Sequence, residues 1–396
     1  MTALERDRTT RVVYVHMAVF GYWLYAFGPV VPLLRQDQGV SRTVSGLHGT
    51  ALAAGSVLAG LVGTALVARL GRAGVMRAGL AGLAVAVLLL TVSTALPVTL
   101  LGALVGGTMG SLLVNTHSPV LSDHHELAGP AAINEANALA AATGVLSPLV
   151  LGVCVALGLG WRVALLGVIP LVLVGLLYSR GARLPDPRLP SRLSPGARAR
   201  LPRRYWASWT VLVLCIAVEF SMTVWASELL RERVGMSAGA AAGSIGLLVL
   251  GMGVGRLVGS RLALRLPVDT LLAVSLLITA AGFATFWLGR TPWVTVGGLF
   301  VVGLGVATQF PLAVARAIAA SRGLADIATA RASLGAGLAI GAAPFALGSL
   351  ADRAGTHTAY LVVPVLLLLA GSVLLADRWY GRWPDAKRHR RQSPSR

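Results

Sequence analysis

Apolar stretches long enough to cross a lipid bilayer recur along the whole of this sequence. Crossing the hydrocarbon core takes about 20 mostly apolar residues in a helix, and lipid leaves the backbone no partner outside the helix. Six such stretches precede and six follow a polar, proline-rich segment, so the sequence predicts an all-α membrane protein with twelve transmembrane helices. The predicted spans are 12–34, 43–68, 74–96, 98–121, 132–157, 161–179, 205–229, 239–264, 268–289, 292–319, 327–350 and 358–377.

The composition and the charge agree with a chain that has lipid as its solvent. Hydrophobic residues make up 56% of the chain and charged residues 12%, whereas soluble domains average about 25% charged residues. The 34 lysines and arginines outnumber the 15 acidic residues, a balance that in a soluble protein would indicate nucleic acid. Here they lie in short segments between apolar stretches, so we expect contact with the lipid bilayer and no nucleic acid.

The basic residues also predict how the chain is oriented. With both termini inside the cell, seven arginines fall on the outer side: Arg35, Arg42, Arg162, Arg231, Arg233, Arg290 and Arg353. This bias predicts a multi-pass protein of the plasma membrane, specifically a bacterial inner membrane, with N-in and C-in orientation. The predicted parts are a cytoplasmic N-terminus (1–11), a six-helix bundle (12–179), a basic proline-rich cytoplasmic linker (180–204), a second bundle (205–378) and a basic cytoplasmic tail (379–396).

The two halves resemble each other at one constant shift of 196 residues. The shift pairs Gly55 with Gly251 and Pro148 with Pro344, as a duplicated six-helix unit predicts. Glycines also recur every four residues at Gly251, Gly255 and Gly259. Such spacing favours close packing of helices in lipid, and a sliding surface between moving helices is the alternative.

A short motif at the end of the eleventh predicted span resembles one of the major facilitator superfamily. The matching residues are Gly348, Leu350, Ala351, Asp352, Arg353 and Gly355. The resemblance covers the chain from Val12 to Arg378 and implies two pseudo-symmetric six-helix bundles. It further implies a monomer that moves a small-molecule substrate by alternating access.

Other family motifs depart from their usual form. The principal copy of the loop motif should follow the second span, where the chain has Arg69, Gly71 and Arg72 but carries Ala68 in place of the aspartate. The resemblance assigns gating to these residues and to Asp352 and Arg353. On the seventh span, Glu219 followed by Trp225 is similar to sugar permeases of the fucose-permease type.

Glu219 lies near the middle of the seventh predicted span. An ionised carboxylate is costly inside a membrane, so such a residue faces a cavity or a partner. A carboxylate that gains and loses a proton is what proton coupling requires, and we therefore predict Glu219 as the proton carrier. A structural glutamate bonded to a neighbouring helix is the alternative.

The resemblance implies that spans one, four, seven and ten surround the substrate. The polar and aromatic candidates on those spans are Tyr22, Tyr25, Asn115, His117, Thr223, Trp225 and Gln309. Asn115, His117 and Gln309 precede Pro119 and Pro311, and bent helices in equivalent positions are where a midplane site is expected. The alternative is that these side chains pack, anchor at the membrane interface or satisfy the carbonyl groups that the prolines free.

Three further sets of charged or titratable residues are candidates for gating or metal binding. Glu135 and Arg331 are equivalent at the 196-residue shift and are candidates for an ion pair between the halves or for simple interfacial placement. Arg256 is assigned to gating, packed or paired at the cytoplasmic end of its span, with binding of an anionic substrate as the alternative. We expect His124, His125 and Glu126 to form a solvated loop without a metal, because no further ligand has useful spacing.

These observations predict a secondary active transporter that moves a small organic solute across the plasma membrane, coupled to protons as symporter or antiporter. The alternatives are an efflux pump for a drug or metabolite with the same fold, or a transporter-like receptor or assembly protein without transport. We expect no enzyme and no cofactor. The sequence contains no HExxH or GxSxG motif and no GxxxxGK[ST] phosphate loop.

Overall fold

A computed structural model of the protein describes residues 5–182, 184–185, 201–263, 265–321 and 325–391. All regular structure in these residues is helical, and eleven of the described helical stretches are long and apolar enough to span a membrane. The helices are α1 (Arg8–Gln38), α2 (Arg42–Val92), α3 (Leu96–His125), α4 (Gly129–Ala156), α5 (Trp161–Leu166), α6 (Val168–Tyr178), α7 (Arg203–Val234), α8 (Ala238–Leu262), α9 (Val268–Leu288), α10 (Pro292–Ala319), α11 (Ala325–Ala354), α12 (Thr356–Ala359) and α13 (Val362–Arg391).

The long helix α2 contains two membrane spans. Gly71 interrupts it with φ 67° and ψ 168°, a conformation that is essentially restricted to glycine. The arms on either side of this glycine both pack on α3, Gly55 of the first arm against Leu104 and Gly79 of the second against Leu113. Because both arms lie along one helix, the chain reverses direction at Gly71. Helix α2 therefore counts as two of the spans, and the predicted number of twelve spans is confirmed.

The two halves, α1–α6 and α7–α13, repeat the same local geometry. Gly39 ends α1 with φ 63° and ψ 25°, and Gly235, 196 residues later, ends α7 with φ 66° and ψ 24°. A methyl group on Gly55 would overlap the Leu104 carbonyl, and one on Gly251 would overlap the Phe300 carbonyl, again at the same shift. The predicted pair of pseudo-symmetric six-helix bundles is thus confirmed.

The regularly spaced glycines of α8 set how closely helices pack within the second half. Gly251, Gly255 and Gly259 all face α10, where added methyl groups would meet Phe300, Leu304 and Thr308. These contacts lie inside one half. They therefore correspond to the packing interpretation of the glycine spacing, and not to a surface that slides between the halves.

The structure also shows where the predicted element boundaries differ. The sixth span is divided into α5 and α6, and the twelfth into α12 and α13, whose helix continues to Arg391 beyond the predicted limit at 378. Helices α3 and α10 continue through Pro119 and Pro311. Residues 1–4, 183, 186–200, 264, 322–324 and 392–396 lie outside the described residues, and with them most of the predicted linker and the end of the predicted tail.

Candidate functional site

Charged side chains join the two halves at the end of the molecule where α1 stops, here called the far face; the opposite end, where α1 starts, is the terminal face. Glu228 of α7 accepts a hydrogen bond from Arg35 at 2.7 Å and from Arg42 at 3.0 Å. Only 3% of the Glu228 side chain is exposed. Arg42 also pairs with Glu232. This cluster of Arg35, Arg42, Glu228 and Glu232, here called the far-face cluster, closes that end of the molecule.

Asp352 of the predicted gating motif caps a helix of the other half. Its carboxylate accepts hydrogen bonds from the backbone N–H groups of Arg42 at 3.0 Å and Thr43 at 2.8 Å, and from the Thr43 hydroxyl at 2.7 Å. These are free N–H groups of the first turn of α2, which every helix must satisfy from outside itself. Asp352 therefore links α11 to the start of α2.

A pocket lies between the halves, deeper in the bundle than the far-face cluster. Tyr25 of α1 and Glu219 and Thr223 of α7 line it. The remaining lining is mostly apolar and consists of Leu24, Phe27, Gly28, Gly49, Leu52, Phe220, Val224, Ile340 and Pro344. A methyl group on Gly28 would lie 2.8 Å from the Thr223 carbonyl oxygen, so α1 and α7 approach closely along one side of the pocket.

Three ionisable side chains meet in the middle of the bundle. The Arg256 guanidinium of α8 is close enough to interact with the Tyr25 hydroxyl and with the Glu219 carboxylate. Arg256 is exposed, and Tyr25 and Glu219 are half-buried, although all three lie in membrane-spanning helices. Arg256 was predicted to lie within its span and to pack or pair towards the cytoplasmic end, and its interacting ionisable groups are Tyr25 and Glu219.

Several predicted cavity residues use their polar atoms inside one half. The Tyr22 hydroxyl donates to the Ala164 carbonyl at 3.1 Å, and the indole N–H of the fully buried Trp225 donates to the Pro344 carbonyl at 2.8 Å. The Gln309 amide donates to the Thr279 hydroxyl at 2.7 Å. These residues pack between helices and do not line this pocket.

Asn115 and His117 of α3 also lie away from the pocket. His117 is buried, with Nδ1 at 2.6 Å from the Val114 carbonyl oxygen of its own helix. Asn115 is exposed and lines a separate groove with Arg72 and Pro119. Of the seven predicted cavity residues, the structure thus brings Tyr25 and Thr223 to the pocket beside Glu219.

On the terminal face, Arg72 of the predicted loop motif finds a carboxylate despite the missing aspartate. Its guanidinium lies 2.7 Å from Asp123, which belongs to the last turns of α3. Arg72 therefore has a carboxylate partner within the first half. Arg69 and Arg353 are exposed.

The predicted partners Glu135 and Arg331 are not paired with each other. Glu135 accepts hydrogen bonds from Arg6 at 2.6 Å and from the Tyr14 hydroxyl at 2.9 Å, all within the first half. The guanidinium of Arg331 lies over the Trp206 ring, 5.5 Å from its centre. Among the described residues, Glu135 and Arg331 form no ion pair with each other. Each of them contacts side chains of its own half instead.

The two histidines expected in a solvated loop are part of a helix. His124 and His125 form the last residues of α3 and contact the start of α1, with His124 at 2.7 Å from Asp7 and His125 at 2.6 Å from the Thr10 hydroxyl. Asp7 caps the start of α1. Partial burial raises the pKa of Asp7, but the hydrogen bonds from Thr10 and His124 outweigh this effect and hold the pKa below its ordinary value. Ligand atoms of Asp7, His124 and His125 lie within 4.8 Å of one another, closer than the sequence spacing indicated.

The sequence analysis missed Glu228 and Asp123. Glu228 stands at the end of a predicted span, a position typical of interfacial residues, and its partners Arg35 and Arg42 are 193 and 186 residues away. Such pairing has no local signal. The sequence feature that could have indicated Glu228 is its place in the same apolar helix as Glu219, two and a half turns further on.

A twelve-span helical bundle with two similar halves and an ionisable pocket between them is an architecture typical of membrane transporters. The sequence model of the Major Facilitator Superfamily matches residues 14–323, and the chain belongs to this superfamily. No curated protein sequence matches the chain.

Solved structures share the fold over almost the whole chain. A D-xylose–proton symporter superposes with a TM-score of 0.78 at 12% identity, covering 93% of this chain and 96% of its own. The transporter FucP in its outward conformation gives 0.62 at 16% identity, with 93% and 98% covered. The human organic anion transporter MFSD10 gives 0.64 at 18% identity, with 94% and 100% covered. These likenesses show the fold alone.

Proposed function

We propose that this protein is a proton-coupled secondary transporter that moves a small organic solute across the plasma membrane by alternating access. The observation that carries the proposal is the half-buried carboxylate of Glu219, which lines the pocket between the two halves together with Tyr25. An ionisable group in a membrane is costly and marks an ion or substrate path. One structural neighbour is a proton symporter and another an organic anion transporter, so the fold supports proton coupling and leaves the solute open.

The far-face cluster supports alternating access. It closes one end of the pocket, whereas the ion pairs described on the terminal face, such as Arg6–Glu135 and Arg72–Asp123, lie within one half. With the termini in the cytoplasm, as the basic residues predict, this state is closed to the outside. Rocking of the two halves would break the far-face cluster and expose the pocket to the other side.

The carboxyl group of Glu219 is the proposed proton carrier, and its replacement tests the function. A thermal-shift screen of the purified chain against sugars, organic acids, nucleosides and amphiphilic drugs first supplies a ligand. In proteoliposomes, Glu219→Gln is then expected to lower uptake driven by a pH gradient at least tenfold, because the amide cannot exchange a proton. Exchange of labelled for unlabelled ligand should persist, since it requires no net proton movement.

The matched control is Glu5→Gln, which makes the same chemical change at an exposed position before α1. It should transport like the unaltered chain. Unchanged gradient-driven uptake in Glu219→Gln would refute the assignment of the proton carrier.

Two alternatives are separated by the same assay. The apolar lining of the pocket also suits export of a drug or metabolite, and the direction of the gradient that drives flux distinguishes export from uptake. The alanine at position 68 in place of the motif aspartate favours a transporter-like receptor. Ligand binding without flux in either direction would favour that receptor.

A further inference from the structure

We propose that Asp7, His124 and His125 form a binding site for a divalent transition-metal ion of the zinc class. The site lies on the terminal face, where it joins the start of α1 to the end of α3. It belongs to the first half alone and is separate from the pocket between the halves. The inference therefore goes beyond the proposed function and does not depend on it.

The ligands come from two segments that are far apart in the sequence. His124 and His125 are the last two residues of α3, and Asp7 is the residue that caps α1, 117 positions before His124. In the folded chain, one carboxylate oxygen of Asp7 and one ring nitrogen of each histidine lie within 4.8 Å of one another. The histidines were expected to bind no metal because the sequence offers no third ligand at a useful spacing, and the fold supplies that ligand.

The two oxygens of the Asp7 carboxylate have different partners. Oδ1 accepts hydrogen bonds from the backbone N–H group of Thr10 at 2.9 Å and from the Thr10 hydroxyl at 2.7 Å. Oδ2 lies 2.7 Å from Nε2 of His124. Ligating carboxylates are usually held by hydrogen bonds of this kind. The cap of α1 thus fixes the carboxylate through Oδ1, and Oδ2 faces the histidines and is the oxygen that would bind the ion.

The ligand atoms are spaced nearly as a metal ion requires. With bonds of about 2.0–2.1 Å, the ligand atoms of a tetrahedral zinc site lie about 3.4 Å apart. The Asp7–His124 distance of 2.7 Å would open by about 0.7 Å, and the widest separation, at most 4.8 Å, would close by no more than about 1.4 Å. Nε2 of His125, which lies 2.6 Å from the Thr10 hydroxyl, would exchange that hydrogen bond for the ion. Rotation of the side chains supplies shifts of this size.

The ligand types select the class of ion. Two imidazoles and one carboxylate, without a thiolate, suit Zn²⁺ and related ions such as Co²⁺, whereas Mg²⁺ and Ca²⁺ prefer oxygen ligands alone. The side chains of His124 and Asp7 are 28% and 41% exposed. An ion can therefore enter from solvent, and water can complete its coordination.

The two arginines that flank Asp7 in the sequence have other partners. Arg6 donates hydrogen bonds to Glu135 at 2.6 and 2.9 Å, and Arg8 donates to a backbone carbonyl just after α6 at 2.6 Å. Among the described ion pairs, the Asp7 carboxylate is paired with His124 and with neither arginine. Its negative charge is thus directed at the position that the ion would take.

Metal binding to the purified full chain tests the site directly. The chain is purified with a tag that contains no histidine, stripped of metal with a chelator and titrated with Zn²⁺ or Mg²⁺ by isothermal titration calorimetry. We expect one tightly bound Zn²⁺ per chain and no binding of Mg²⁺. Co²⁺ should give the visible absorption bands of a four- or five-coordinate ion.

Asp7→Asn separates metal binding from helix capping. Asparagine caps a helix about as well as aspartate does, but it lacks the charge that a metal ligand needs. The variant should bind Zn²⁺ at least tenfold more weakly, and so should His124→Asn and His125→Asn. An unfolding temperature of each metal-free variant close to that of the unaltered chain shows that the variant folds.

His357→Asn is the matched control, because it removes a histidine of the far face that lines a surface groove with Glu232 and stacks on Trp287. It should bind Zn²⁺ like the unaltered chain. Unchanged Zn²⁺ affinity in Asp7→Asn, or an equal loss of affinity in His357→Asn, would overturn the inference. Absence of Zn²⁺ and Co²⁺ binding by the unaltered chain would also overturn it and would leave Asp7 and His124 as an ion pair between two helices. None of these measurements requires a transport substrate, so the proposed function is tested separately.

Discussion

Glu228 and Glu232 lie one helical turn apart on α7 and differ in their burial. The Glu228 side chain is 3% exposed and that of Glu232 is 41% exposed. Removing one partner of a buried ion pair costs about 3–5 kcal/mol, whereas an exposed pair contributes about 0–1 kcal/mol. We therefore expect Glu228→Gln to open the far face much more often than Glu232→Gln does.

Thiol labelling measures this difference. Ala53 of α2 is 5% exposed and packs against Gly341 of the other half. Ala53→Cys, with Cys154 and Cys215 replaced by alanine, should react slowly with a soluble maleimide in the parent chain. It should react severalfold faster with Glu228→Gln added and little faster with Glu232→Gln. Equal rates in the two variants would show that Glu228 does not hold the far face closed.

At this scale the sequence identified residues better than it identified their partners. Glu219 and Tyr25 were predictable because a carboxylate at mid-span and an aromatic residue at mid-span are both unusual in lipid. Tyr22 has the same local pattern and yet packs on Ala164, because the side of α1 that faces the pocket is set by neighbouring helices. The group formed by Arg256 with Tyr25 crosses between the halves and leaves no signal in the sequence.

Helices α4 and α8 cross between the halves at two glycines. A methyl group on Gly239 would lie 2.6 Å from the Gly152 carbonyl oxygen, and one on Gly152 would lie 2.7 Å from that of Gly239. Gly239→Ala should therefore force the two backbones apart and lower the thermal unfolding midpoint of the purified chain.

Gly253→Ala is the matched control on the same helix, because nothing lies within 4 Å of its added methyl group. It should leave the midpoint unchanged or raise it, since alanine is more favourable than glycine in a helix by about 1 kcal/mol. A midpoint in Gly239→Ala at or above that of Gly253→Ala would contradict the close approach of α4 and α8.

The existence of most helices followed from the length and polarity of the apolar stretches, but their interruptions did not. Proline was expected to break or bend α3 and α10, and neither helix is broken at Pro119 or Pro311. The sixth span is divided at Gly167 instead. Neighbouring helices can satisfy the groups that a proline frees, and this compensation depends on packing that the sequence does not display.

For the whole molecule, the orientation in the membrane is the property that decides which state the structure represents. Arg265 and Arg290 are exposed and flank α9, whose 21 residues span about 30 Å. In cells that produce the chain without native cysteines, Arg290→Cys should react with an impermeant maleimide from outside. Arg265→Cys should react only after permeabilisation.

The opposite pattern would place the far-face cluster in the cytoplasm and reverse the proposed topology. Labelling of both cysteines from the same side would contradict a membrane-spanning α9. Either result would be independent of any substrate.

The cap that Asp352 provides makes a local helix end depend on the arrangement of the halves. Ser41 satisfies the N–H group of Val44 from within the first half, but the N–H groups of Arg42 and Thr43 rely on a carboxylate from α11. When α11 moves away, those two groups must turn to water or the first turn must unwind. Separation of the halves and fraying of α2 are thus two descriptions of one event, and the helix end reports the state of the entire transporter.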